Sequence, residues 1–111
     1  MLQVTLLPPN QPKLAIDFVI DTGFEGYLTL PKFAVEKLEL PFAHRIVANL
    51  ADDTGSKVSV HNLSIIWDDQ VREIYVLAMG KRPLLGTKLL EDHDLKIHFA
   101  ENGGVDITPF A

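Results

Sequence analysis

Two identical Asp-Thr-Gly triplets occur in this sequence, at Asp21-Thr22-Gly23 and at Asp53-Thr54-Gly55. A carboxylate can act as a general acid or a general base. Two carboxylates a few ångström apart share one proton, because both cannot ionise together without strong repulsion. Such a pair can activate a water molecule for hydrolysis. The first question is therefore whether the two triplets belong to one site.

The two triplets lie in opposite surroundings. Asp21 follows the apolar run FVI (18–20) and precedes Phe24, so its carboxylate comes directly after a strand whose composition predicts burial. A charge at such a place is costly unless it is hydrogen-bonded or serves a function. Asp53 follows another aspartate and precedes GSK (55–57), the composition of a solvated turn. We therefore assign the chemistry to Asp21, with a hydrogen-bonded structural aspartate in a turn as the alternative, and a turn to Asp53.

Short apolar runs separated by turn residues predict the elements that position these aspartates. LQVTLL (2–7) and LAIDFVI (14–20) predict a hairpin that leads into Asp21. HRIVANL (44–50) and KVSVHNLSIIW (57–67) predict a longer hairpin with Asp53 at its tip. Further strands are predicted at YLTL (27–30), VREIYVLAM (71–79), LLG (84–86), LKIHF (95–99) and VDI (105–107), and short helices at 31–39 and 87–92.

Together these elements predict a mostly β fold with one or two short helices, either a small, strongly bent sheet or a closed or partly open β-barrel. Phe33, Leu38, Leu89 and Leu90 are predicted to belong to its core. Trp67 is predicted to pack at the end of a strand, with a binding role as the alternative.

The composition is that of one ordinary globular domain over residues 1–111, with 47% apolar and 23% charged residues. A net charge of −5 argues against nucleic acid and anionic membranes as partners. The sequence has no apolar stretch of the roughly 20 residues that span a bilayer, and its start lacks the features of a secretory signal. The absence of cysteine excludes disulfides and thiolate catalysis, and we expect a cytoplasmic protein without a cofactor.

FVIDTGFEGYLTLP followed by PLLGTKLL resembles the retropepsin-like aspartic proteases, particularly small bacterial members with a single triplet. The shared features are an apolar pair before Asp-Thr-Gly, a β-hairpin flap (here 47–58), and a later apolar-apolar-Gly segment (here Leu84-Leu85-Gly86). In this order they extend over residues 14–107. The resemblance implies a barrel of the retropepsin type, peptide-bond hydrolysis by an activated water molecule, and no cofactor.

The resemblance also implies a homodimer. In two-lobed enzymes of this type each lobe has its own triplet, flap and apolar-apolar-Gly segment, whereas this chain has one such segment and too few residues between its triplets for a lobe. Asp21 of a second copy would then complete the site across a two-fold axis. The terminal strands, LQVTLL and VDITPF, are the candidate dimer contacts by the same analogy.

Further roles follow only from the resemblance. Thr22 would link the two triplets through hydroxyl-to-backbone hydrogen bonds, and Gly23 would bring backbone donors to the carboxylates. Leu84, Leu85 and Gly86 would support the site. A peptide or protein substrate would contact Phe24 and the flap tip, which is formed by Asp53, Thr54 and Gly55. Phe24 and the acidic tip depart from viral members, in which a small residue and a Gly-rich tip are common.

Several alternatives stay open. Asp17 shares a strand face with Asp21, but four strand residues span about 13 Å, too far to share a proton. Glu25 suits a solvated turn carboxylate better than a second acid. His93 and His98 fit structural or exposed positions better than a metal site. At the level of function, the alternatives are a catalytically silent dimerisation or peptide-binding module and an unrelated small barrel with a chance triplet.

Overall fold

The computed structural model describes residues 1–48, 56–91, 93–97 and 105–109, and these residues are mostly β. The strands are β1 Leu2–Leu7, β2 Leu14–Ile20, β3 Leu28–Leu30, β4 Phe42–Ala48, β5 Ser56–Trp67, β6 Gln70–Ala78, β7 Leu84–Leu85, β8 His93–Ile97 and β9 Val105–Pro109. The helices are α1 Lys32–Lys37 and α2 Thr87–Leu90. Each element predicted from the sequence has a counterpart here, and β1 and β2 coincide with their predicted runs residue for residue.

Six of the described strands close into a barrel. They are hydrogen-bonded in the order β1-β2-β7-β3-β6-β5, and β5 pairs back with β1 where Ile65 lies opposite Leu6. The predicted barrel is therefore a closed one, and closure removes the exposed sheet edges of those strands. β4 extends the sheet beyond β5, while β8 and β9 pair with each other in a separate sheet.

The position of β7 decides which loops meet. β7 lies between β2 and β3, parallel to β2 and antiparallel to β3. Because β2 and β3 are consecutive in the chain, the Asp21 loop (residues 21–27) that joins them must cross the end of β7. The loop is thereby brought against the residues that follow β7, although the two segments are far apart in sequence.

The long strand β5 has two neighbours along one edge. Its first half pairs with β4, from Ser56 opposite Ala48 to His61 opposite Phe42, and its second half pairs with β1. Its other edge pairs with β6 through a tight turn at Asp68-Asp69, both with the positive φ that such two-residue hairpin turns require. The stem of the predicted long hairpin is thus confirmed as the β4–β5 hairpin, whose tip lies outside the described residues.

The core fills the barrel, and α1 and α2 cover it. Trp67 packs into it at the end of β5, as predicted, and the fully buried apolar residues are Leu6, Phe18, Leu28, Leu30, Ile65, Val76, Leu85 and Leu89. None of the helices in the described part of the chain has the length and apolar character that crossing a membrane requires.

The core prediction is confirmed for Leu38 and Leu89, and Leu90 packs against the core while partly exposed. It is wrong for Phe33, which is 70% exposed. Val35 and Leu38, three positions apart, occupy the buried face of the short helix α1. Phe33, two positions before Val35, falls on the opposite face.

Candidate active site

Asp21 stands at the end of β2, where the chain turns away from the sheet. Its main-chain N–H donates to the Leu85 carbonyl at 2.9 Å, and its own carbonyl accepts from the Phe24 N–H at 3.1 Å, which closes a β-turn. Its carboxylate Oδ1 accepts from the Gly23 N–H at 2.9 Å. The backbone hydrogen bonds therefore orient the carboxylate. Asp21 is only half-buried, so the carboxylate remains accessible.

Gly23 and Thr22 form the exposed outer part of this turn. A Cβ added at Gly23 would lie 3.3 Å from Asp21 Oδ1, which is tighter than ordinary contact. The Gly23 N–H therefore approaches the carboxylate closely because glycine has no side chain there. This is the type of donor that the resemblance implies for Gly23, while a contact of Thr22 with a second chain stays a prediction.

The first residues of α2 hold the Asp21 loop through its backbone. Three N–H groups donate to three loop carbonyls: Gly86 to Tyr27 at 2.8 Å, Thr87 to Phe24 at 2.9 Å and Lys88 to Gly26 at 3.1 Å. The Thr87 hydroxyl also donates to the Phe24 carbonyl at 3.3 Å. N–H groups at a helix start have no acceptor within the helix. The loop thus supplies acceptors to α2, and α2 fixes the loop.

Gly86 is buried at the point where the two segments touch. A Cβ placed on it would lie 2.6 Å from Cδ2 of the Phe24 ring and 2.7 Å from the Phe24 carbonyl oxygen, and it would also overlap the Gly26 carbonyl. Real Cβ atoms essentially never approach other atoms so closely, and the backbone cannot yield as a flexible side chain can. Glycine is therefore required here by close approach of two backbones.

Thr29 is a site-supporting residue that the sequence analysis did not single out. Its side chain is 1% exposed, and its hydroxyl accepts from the Leu84 N–H at 3.2 Å. On the other side of β7, the Val19 N–H donates to the Pro83 carbonyl at 3.0 Å. The available sequence signal was the threonine between two leucines in the run YLTL, because a buried strand retains a hydroxyl only when it is hydrogen-bonded.

Phe24 and Tyr27 pack on the same loop. The Phe24 ring lies against Gly26 and Gly86, so its position is set by glycines of its own site. The Tyr27 ring has the Arg72 guanidinium 5.4 Å and the Lys88 ammonium 5.6 Å from its centroid. Cations at these distances are attracted by the ring face. Contact of Phe24 with a substrate remains a prediction.

The structure brings together Asp21, Thr22, Gly23 and Phe24 with Leu84, Leu85 and Gly86, which lie far apart in sequence. Asp53, Thr54 and Gly55 lie outside the described residues, as does His98. Asp17 and Glu25 are exposed. Within the described ranges of the chain, no three histidine or acidic side chains gather as a metal site would require.

No protein-family model matches the chain, and no curated protein is significantly similar to it.

Proposed function

We propose that this protein is a homodimeric aspartic endopeptidase in which Asp21 pairs with Asp21 of a second copy across a two-fold axis. One observation carries the proposal: the Asp21 turn is bonded directly to the Leu84-Leu85-Gly86 segment, through the Asp21 N–H to the Leu85 carbonyl at 2.9 Å. The sequence resemblance assigns these two segments to one site, and their contact supports that assignment.

A second copy is needed because one chain offers a single oriented carboxylate in this turn. Asp17 is exposed on β2, about 13 Å away along the strand by the rise per residue, and cannot share a proton with Asp21. An isologous dimer brings identical groups together by symmetry. The two carboxylates then hold one proton between them, as the paired carboxylates of aspartic proteases do.

The chemistry follows from that shared proton. The ionised carboxylate takes a proton from a water molecule, and the water oxygen attacks the peptide carbonyl carbon. The protonated carboxyl group donates to the developing oxyanion. A proton then passes to the peptide nitrogen as the C–N bond breaks, giving a new carboxyl group and a new amine. The Gly23 N–H and the backbone bonds of Gly86 and Thr87 keep the Asp21 carboxylate in place during these steps.

The substrate class is an extended segment of peptide. The β4–β5 hairpin acts as the cover that closes over it and excludes water. Asp52 and Asp53 in the sequence of the hairpin tip disfavour acidic peptides by like-charge repulsion. We therefore expect cleavage of unstructured neutral or basic segments in preference to acidic ones.

The test is hydrolysis of an unstructured protein at mildly acidic pH by wild type, Asp21→Asn and the matched control Asp17→Asn. We expect cleavage by wild type and by D17N and none by D21N. Equal cleavage by D21N would rule the proposal out. Absence of cleavage by a wild-type dimer that still binds peptides would instead favour the silent module.

A mixing experiment tests the shared site itself. When wild type and D21N are unfolded together in equal amounts and refolded, random pairing leaves about one quarter of the dimers with two intact carboxylates. The activity of the mixture should therefore be about one quarter of the activity of an equal total amount of wild-type protein. A fall to one half would mean that each chain acts alone. Sedimentation at tens of micromolar should show a dimer in both samples.

A further inference from the structure

A cavity lies at the base of the β4–β5 hairpin, and none of its lining residues belongs to the Asp21 loop. It has a volume of about 360 Å³, within the range of small-molecule sites. One wall is formed by α1 and the residues that follow it, and the other by the face of β4 and β5 that carries Ser59 and His61. We name it the hairpin-base cavity.

A chain of hydrogen bonds on its sheet wall sets the tautomer of His61. Nδ1 lies 3.0 Å from the Leu40 carbonyl oxygen, and Nε2 lies 3.1 Å from Ser59 Oγ. A carbonyl oxygen can only accept, so Nδ1 carries the hydrogen and donates it. In the neutral ring Nε2 is then the acceptor, and the Ser59 hydroxyl donates to it. Ser59, His61 and the Leu40 carbonyl therefore stand in the relation of nucleophile, base and orienting group.

The opposite strand adds a cation and an aromatic ring to the same face. Arg45 lies opposite Ser59 and Phe42 lies opposite His61 in the β4–β5 register, and directly opposite residues share a face of the sheet. The Arg45 guanidinium is 5.8 Å from the centroid of the Phe42 ring, which meets the His61 ring edge-on at 5.8 Å. Arg45 thus supplies a cation on the sheet face that carries Ser59, and a cation there would favour the negative charge that develops on a substrate's carbonyl oxygen during acyl transfer.

We propose that the hairpin-base cavity is an esterase-type acyl-transfer site in which Ser59 is the nucleophile and His61 the general base. Ser59 Oγ attacks the carbonyl carbon of a carboxylic ester while its proton passes to His61 Nε2. The bond to the alcohol breaks, and the leaving oxygen takes that proton. Water then attacks the acyl-Ser59 ester by the same route, releasing the acid and restoring the hydroxyl.

The cavity walls limit the substrate to small, uncharged esters. Lys32, Glu36, Glu39 and Arg45 all line the cavity, so its walls carry two positive and two negative charges and favour neither an anion nor a cation. Phe42, which is exposed at the mouth, offers apolar contact to an alkyl or aromatic group. This activity does not involve Asp21 and stands independently of the proposed peptidase.

The test is covalent labelling by a fluorophosphonate, in which a hydroxyl oxygen displaces fluoride from phosphorus. We expect one adduct per chain, located on Ser59 by peptide mapping of the wild-type protein. The matched control is Ser64, a half-buried serine of the same strand whose side chain lies on the other face. Ser64→Ala should label at the wild-type rate.

Loss of the base gives the second readout. His61→Gln should slow labelling and the hydrolysis of p-nitrophenyl acetate by roughly 100-fold, the typical contribution of general base catalysis. An adduct distributed equally over Ser59 and Ser64, no adduct on the folded wild-type protein, or an unchanged rate in H61Q would each overturn the proposal. Mapping the adduct on wild type makes the result independent of whether Ser59→Ala folds.

Discussion

The Asp21 loop and the β4–β5 hairpin position their side chains in opposite ways. The loop is held by backbone hydrogen bonds to β7 and α2, and Gly86 leaves no room for a Cβ where they meet. The hairpin projects from the barrel, and within the described residues β4 pairs with β5 alone. Its Phe42 and Val47 are 57% and 67% exposed.

This difference indicates how each region responds to substitution. Backbone hydrogen bonds hold a carboxylate in one orientation. A position at which two backbones touch, however, accepts only glycine. Side chains on a projecting hairpin contact fewer neighbours, so many of them can change without loss of the fold. The loop should therefore be intolerant of substitution and the hairpin tolerant.

The largest effect is expected at Gly86. Gly86→Ala forces a Cβ into the Phe24 and Gly26 backbone and should destabilise the protein by about 3 kcal/mol, measured by urea unfolding. Gly80→Ala is the matched control, because Gly80 has open space around it but a φ of +80°. Its cost should be nearer 1 kcal/mol, the cost of a left-handed residue with a Cβ. Equal costs for the two variants would contradict the tight contact at Gly86.

The next effect is expected at Thr29. Thr29→Val keeps the shape but removes the hydroxyl that accepts from the Leu84 N–H, and a buried donor without its partner costs about 1–3 kcal/mol. Thr29→Ser keeps the hydroxyl and tests the contribution of the methyl group. Urea unfolding should show that T29V is the less stable of the two. The reverse order would mean that the hydroxyl does not support β7.

Asp21→Asn should separate stability from activity. The asparagine Oδ1 can still accept from the Gly23 N–H, so the free energy of unfolding should change by only about 0.5 kcal/mol. The proposed dimer should be retained, because two facing asparagine amides are uncharged and can hydrogen-bond to each other. Sedimentation equilibrium measures this directly. A dimer that dissociates more readily in D21N would count against facing Asp21 side chains.

The smallest effect is expected on the hairpin. Val47→Thr keeps a β-branched residue on an exposed strand position and should change the free energy of unfolding by less than about 0.5 kcal/mol. Urea unfolding would show this, and the dependence of the unfolding free energy on urea concentration should stay unchanged. A loss as large as that of T29V would remove the contrast between the two regions.

Much of the secondary structure was predictable, because it depends on local spacing. Alternating apolar residues and the Pro-rich turn between them define β1 and β2, and Asp68-Asp69 suits a tight hairpin turn. Phe33 shows where local reasoning fails. A helix of six residues is too short for its apolar pattern to show which face is buried, and the barrel buries Val35 and Leu38 instead.

The candidate sites were predictable only in part. The Asp21 turn was singled out from its residue types, whereas the Leu84-Leu85-Gly86 segment was assigned to the same site only through the family resemblance. Their contact was not predictable, because it depends on β7 lying between β2 and β3. The i, i+2 spacing of Ser59 and His61 places them on one strand face, but the Leu40 carbonyl that orients the imidazole comes from the segment between α1 and β4.

The sequence by itself determined where strands, turns and helices form, since these depend on neighbouring residues. Only the tertiary structure decided that the Asp21 loop meets Gly86, that Thr29 supports β7, and that Ser59 and His61 face a cavity. Such contacts join residues distant in the chain, and hydrogen bonding and close packing select them only once the barrel has closed.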